Sequence, residues 1–267
     1  MTPATPPKLG PPLLVDSHVH FHPGYDQRLF FDSAAANFAG ARPGAIGCLM
    51  LTESGGADAF TRFRDGVGTP HAGGWQFQLT AEENSLLALS ERGAAIVLIA
   101  GRQIVTRERL EILALGRHER YPDGNPVAQV IEDVDAAGGV AVLPWGFGKW
   151  WFGRGRVVRS LLEGAIAGRL WLGDNAGRPA IAPQSSIFAL ARRRGVPVLP
   201  GTDPLPMKDH ATRPGRYGFI LDAELDSAHP ARDLLALLRT RIQPSHYGRR
   251  MTVVEFVKSR RTGGQAD

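Results

Sequence analysis

A chain of 267 residues that is 43% hydrophobic and 21% charged can bury one large α/β core, and it is not a disordered polyelectrolyte. Its formal charge of +5 is carried almost wholly by arginine, since lysine stands only at Lys8, Lys149, Lys208 and Lys258. The arginines are spread along the chain. That excludes a basic stripe for sequence-specific nucleic-acid binding but leaves room for an anionic small-molecule partner.

The opening "MTPATPPKLGPP" (1–12) reads as a disordered, Pro-rich lead-in without the apolar segment of a signal peptide. No run reaches the roughly 18–20 continuous apolar residues of a membrane span. The lone Cys48, in "AIGCLML", excludes an intrachain disulfide and reads as a packed core thiol. Together these point to a cytoplasmic protein. One domain is expected over 13–262, followed by a short disordered tail, 263–267.

Short apolar runs alternate with helical patterns. Strands are expected at 13–21, 45–53, 94–101, 110–116, 139–145, 169–173, 196–203 and 217–223, with an early hairpin across 75–91. Helices are expected near 28–40, 126–137, 156–167, 183–194, 230–241 and 252–260. Strands that are apolar on both faces, each followed by a helix, indicate a mainly parallel sheet covered by helices. Seven or eight such units favour a β/α barrel, with an open doubly wound sheet as the alternative; in such folds chemistry collects at the C-terminal ends of the strands.

The first strand, "VDSHVHFH", carries histidines on alternate positions. Strict alternation puts Asp16, His18, His20 and His22 on one face and Val15, Val19 and Phe21 on the other. Imidazoles two residues apart can converge on one ion, and Asp16 would fix the tautomer of His18. His22, beside Pro23 and Gly24, is expected at the rim. A third ligand is expected from Asp203 in "VLPGTDPLP", with Glu53 next; Glu111 and Asp174 are weaker candidates.

These pieces resemble the PHP (polymerase and histidinol phosphatase) superfamily of metal-dependent hydrolases. "VDSHVHFHPGYD" resembles its Asp-x-His-x-His opening and "AAGGVAVLPWGFG" its glycine, strand, Ala-His-Pro block. "GVPVLPGTDPLP" resembles its terminal Gly-Ser-Asp-x-His. The resemblance runs in order over about 13–205 and implies a distorted, TIM-like β/α barrel. It departs at the ligands. Glu53 stands for the family's Asp, Ser54 for a His, Gln103 for a bridging Glu, Glu111 and Trp145 for His, and Pro204 and Leu205 replace the last His. What is left implies a single divalent ion (zinc, manganese or iron) on His18, His20 and Asp203, with Glu53 or Glu111 as general base.

Around the mouth, "PWGFGKWWFGRGR" (144–156) combines aromatics, glycines and cations. It reads as a ligand pocket, as packing, or as a subunit interface giving a homo-oligomer. Trp145, Lys149, Arg154 and Arg156, with Arg102, Gln103 and His210, are the candidate substrate contacts. The expected function is a hydrolase acting on a small phosphoester or other anionic substrate. The alternative is a degenerate PHP-like protein that binds a ligand or partner without turnover.

Overall fold

The computed structural model describes residues 9–68, 73–179 and 186–255. Most of the expected lead-in, the whole 263–267 tail and most of the expected helix 252–260 lie outside the described residues. Two sheets carry the fold. The first contains β1 (Leu13–Val19), β2 (Ile46–Leu51), β4 (Trp75–Leu79), β5 (Ser85–Ser90), β6 (Ala95–Ile99), β12 (Tyr217–Leu221) and β13 (Ser245–Gly248), in the order β13-β12-β1-β2-β6-β5-β4. The second contains β3 (Glu53–Ser54), β7 (Gly101–Val105), β8 (Glu111–Leu115), β9 (Val140–Pro144), β10 (Leu170–Asn175) and β11 (Val198–Gly201), in the order β11-β10-β9-β8-β7-β3.

Pairing is parallel along β1-β2-β6, along β9-β10-β11 and between β3 and β7; the remaining neighbours are antiparallel. Neither sheet closes on itself. The chain instead steps between them. Thr52 alone separates β2 from β3, and Ala100 alone separates β6 from β7. Both are fully or almost fully buried.

Three apolar clusters explain the layering. α1 (Gln27–Ala41) starts at Asp26, whose carboxylate accepts the Leu29 N–H at 2.7 Å. Its Phe30, Phe31, Ala34 and Phe38 recur at helical spacing and pack with α2 (Ala59–Asp65) on the outer face of the first sheet. α3 (Val127–Ala136), α4 (Phe152–Glu163) and α5 (Ser186–Arg193) cover the outer face of the second sheet with Val130, Val134, Leu162 and Phe188. The third cluster lies between the sheets. It joins Leu13, Val15, Met50, Ile99, Leu115, Val142 and Leu199 to Ala231, Leu234 and Leu238 of α6 (Pro230–Arg239). α6 therefore floors the space between the sheets at the end where β9 begins. Each large side chain buried this way contributes roughly 1.5–3 kcal/mol. No described helix is long and apolar enough to cross a membrane.

The strands expected from the apolar runs are present, and so is the hairpin, as β4 and β5. Among the described residues, α2, β7, β13, the separate short strand β3 and the 3₁₀ turn Lys208–Thr212 were not expected. α4 also begins earlier than the expected 156, at Phe152, so the aromatic segment is partly helix rather than loop.

Candidate metal centre

Strict alternation fails in β1, and the failure makes the site. Asp16 pairs with Leu49 and Val19 with Leu51, so β1 advances three residues while β2 advances two. This bulge inserts one residue and flips the face that follows it. Before it, Leu13 and Val15 point between the sheets while Leu14 points out; after it, Val19 and Phe21 point out. The expectation that Val15 shares a face with Val19 is therefore corrected.

His18 lies within the bulge and His20 beyond it, and both come together with Asp203, which lies two residues beyond β11. The His18 and His20 Nε2 atoms are 3.0 Å apart. Asp203 Oδ1 lies 3.4 Å from the first and 3.6 Å from the second. One ligand atom from each of the three lies within 4.8 Å of the others, and both histidines are buried. An ion held tetrahedrally at 2.0–2.1 Å places its ligand atoms about 3.3 Å from one another. The separations bracket that value, and those to Asp203 are long for hydrogen bonds. The donor set therefore fits a single divalent ion, and the three residues expected to converge do so.

Electrostatics suit the same use. Burial, reinforced by His18, pushes the His20 imidazole down to about 3, which leaves it neutral and able to ligate. Burial alone would raise Asp203. His18, His20 and Lys149 outweigh it and hold the carboxyl below its usual range, ionised.

The supports of the triad come from distant elements. Asp203 sits in the left-handed region at φ 49°, a conformation uncommon outside glycine. Its backbone N–H donates to the His18 carbonyl at 2.8 Å, and Ser17 Oγ donates to the Pro200 carbonyl at 2.9 Å. β11 lies so close to β1 that a Cβ on Gly201 would stand 2.5 Å from the His18 nitrogen. Asn175, at the end of β10, donates from Nδ2 to Asp203 Oδ2 at 2.9 Å and to the Trp145 carbonyl at 2.8 Å. That fixes one carboxylate oxygen and leaves the other facing the imidazoles. Asn175 was missed because "GDNAG" is good turn chemistry in its own right. The available signal was its place at the C-terminal end of an apolar strand.

Asp16 does not fix the His18 tautomer. It is fully buried and accepts four hydrogen bonds: Thr202 N at 2.9 Å, Thr202 Oγ1 at 2.5 Å, Gly215 N at 2.9 Å and His18 N at 3.3 Å. Burial still lifts its carboxyl to about 7 against those donors. Its role is to tie the β11 end and the Gly215 turn to the histidine strand.

The other candidates divide. Glu53 is buried and accepts the Ala59 N–H and the Phe60 N–H at the start of α2, while its second oxygen faces Arg102 Nη1 at 3.4 Å. It caps a helix and pairs with a cation, so it is not a free base. Arg102 is buried too, bonded to the Ala57 and His118 carbonyls and to Asp58 at 3.1 Å, so it is not free to take up a substrate. Asp174 forms a two-pronged pair with Arg178 at 2.7 Å and lies outside the triad. Gln103 is half-buried in β7, opposite Ser54 and Leu113.

Glu111 accepts from Lys149 Nζ, and the Lys149 charge is felt by both His20 and Asp203. Arg154 donates to the Gly148 carbonyl at 3.0 Å, and Arg156 is exposed on α4. Trp145 and Trp150 pack into the second cluster, Trp150 against Phe188 at 5.1 Å, whereas Phe147, Trp151 and Phe152 are exposed. His22 Nε2 meets the Pro204 carbonyl at 2.9 Å. His210 is fully buried, and its Nδ1 accepts the Leu205 N–H at 2.8 Å. With Nδ1 used as an acceptor, Nε2 carries the proton. His210 therefore stands as a donor rather than a replacement ligand.

No family model matches this chain, and no curated protein matches it. Among solved structures, the crystal structure of PsfC from Pseudomonas syringae PB-5123 is similar, with a TM-score of 0.59 and 13% identity. The likeness covers 95% of this chain and 97% of that one. At that identity it speaks for a shared fold alone.

Proposed function

We propose that the chain is a metal-dependent hydrolase of PHP type that acts on a small anionic substrate, most simply a phosphoester. The observation that carries this reading is the convergence of His18, His20 and Asp203 at the C-terminal ends of β1 and β11. Three ligands of this kind leave a coordination position open, as catalytic rather than structural sites do. The two sheets are read as a barrel broken at its seams: β11 lies against β1 through Asp203 and Ser17, and β6 runs directly into β7.

A divalent ion on the triad would polarise a substrate oxygen and acidify water. The chain supplies the rest. Asn175 orients Asp203. Lys149 and Glu111 pair with one another, and a substrate anion that drew the Lys149 ammonium away would free the Glu111 carboxylate to accept a proton.

Elemental analysis of untagged protein, with a His18→Ala/His20→Ala control, tests the reading. About one equivalent of transition metal, lost in the control, together with metal-dependent hydrolysis of p-nitrophenyl phosphate, supports it. Absence of metal after incubation with Zn²⁺ and Mn²⁺ defeats it. A binding protein without turnover is the second reading, favoured by the internal engagement of Glu53, Arg102 and Arg154. Stoichiometric metal without hydrolysis of any phosphoester, amide or lactone would select it.

A further inference from the structure

A concavity with a volume of about 690 Å³ opens between α1 and the segment that follows β13. Small residues of α1, Ala36 and Gly40, form one wall. Arg213, Arg216, Arg249 and Arg250 line the other. Arg249 is neutralised by Glu255, with two contacts of 2.8 Å. Among the described residues, Arg213, Arg216 and Arg250 form no ion pair with a carboxylate.

Arg213 and Arg250 are half-buried and Arg216 is exposed. The buried arginines among the described residues, Arg102 and Arg178, are each matched to acidic partners. Arg250 Nη1 is buried with no hydrogen-bond partner. Arg216 makes a 3.5 Å contact with the Thr212 hydroxyl, and Arg213 Nη1 lies 4.0 Å from the Met251 sulfur. Burial, and then the neighbouring Arg216, lower the Arg213 guanidinium against the opposing Asp209, Tyr25 and Glu255. Three unneutralised guanidiniums around one cavity repel each other and focus a positive potential into it. An anion with several acceptor oxygens would remove both costs.

We infer that this arginine-lined cavity is a binding site for a phosphate-bearing small molecule, separate from the His18, His20 and Asp203 centre. Guanidinium forks match phosphate oxygens in pairs, and the volume falls in the range of small-ligand sites. None of the three metal-centre residues lines the cavity. Thr202 does, and its hydroxyl is bound to Asp16, so the end of β11 is a wall common to both sites. The inference does not depend on a metal being bound.

The test is isothermal titration of the full chain, dialysed against chelator, with inorganic pyrophosphate. One saturable site is expected. Arg213→Gln and Arg250→Gln should each weaken it about tenfold or more, and adding Arg216→Gln should abolish it. The His18→Ala/His20→Ala variant should bind as the parent does. Absence of saturable binding at millimolar pyrophosphate would overturn the inference. So would binding that survives the triple arginine variant, or binding lost with the histidines and kept without the arginines. If the triple variant fails to fold, the single Arg213→Gln variant decides, with its melting curve as the fold control.

Discussion

His210 gives a pH signature that can be worked out in advance. The ring is fully buried in the short 3₁₀ turn Lys208–Thr212, with Nδ1 accepting from Leu205 N–H and no hydrogen-bond partner on Nε2 among the described residues. Burial, and then Arg213, lower its pKa to about 4 from 6.5, with Asp209 and Asp203 opposing and His22 adding to the shift. The unfolded chain takes up a proton below pH 6.5, whereas the folded chain resists until about pH 4. The contribution is therefore fully present above pH 6.5 and is lost as pH falls toward 4. A gap of about 2.5 units corresponds to about 3 kcal/mol. Urea denaturation of the parent and of His210→Gln across pH 8 to 4 isolates this group, because the other titrations cancel in the difference. Glutamine keeps an acceptor for Leu205 but cannot titrate. The parent should lose stability relative to the variant between pH 6.5 and 4. Parallel curves, or an imidazole resonance that titrates near 6.5, would refute the assignment.

Three further outcomes follow from the site. Asp16→Asn turns an amide donor toward donors already in place, and should cost roughly 2–4 kcal/mol in denaturant unfolding. Asn175→Ala releases Asp203 Oδ2 and the Trp145 carbonyl; metal affinity, read by competition with a chromogenic chelator, should fall about 10–100-fold with little change in fold. Arg102→Ala strands Glu53 in a buried position, and should destabilise by about 3–5 kcal/mol on calorimetry without changing metal stoichiometry.

The sequence disclosed the strands that are apolar on both faces, because burial between layers writes itself as an unbroken apolar run. It disclosed the triad because a His-x-His strand and a late Asp after "VLPG" both sit at strand ends. β7 was not legible. "GRQIV" carries Arg102, and only the tertiary pairing of that arginine with Glu53 and Asp58 makes its burial tolerable. The bulge in β1 was not legible either, since period-two alternation carries no mark of an inserted residue. That one residue decided whether Asp16 would serve the histidines directly or brace the loops behind them. Glu53 and Glu111 look alike in sequence, each a carboxylate at an apolar strand. The partner decides: helix N–H groups and a buried arginine for the first, a half-exposed lysine for the second.

The proximity of β11 and β1 also sets an order in time. β1 pairs on one side with β12, Leu13 against Leu221, and His18 meets a residue 185 positions later. Neither contact can form until most of the polypeptide has left the ribosome, and closing such distant pairs is the slow kind of folding step. During synthesis the histidine strand has only β2 beside it, with its other edge open. The geometry of the His18, His20 and Asp203 cluster is thus among the last things the chain acquires. Acquisition of metal by a refolding sample should lag the far-ultraviolet signal of the helices.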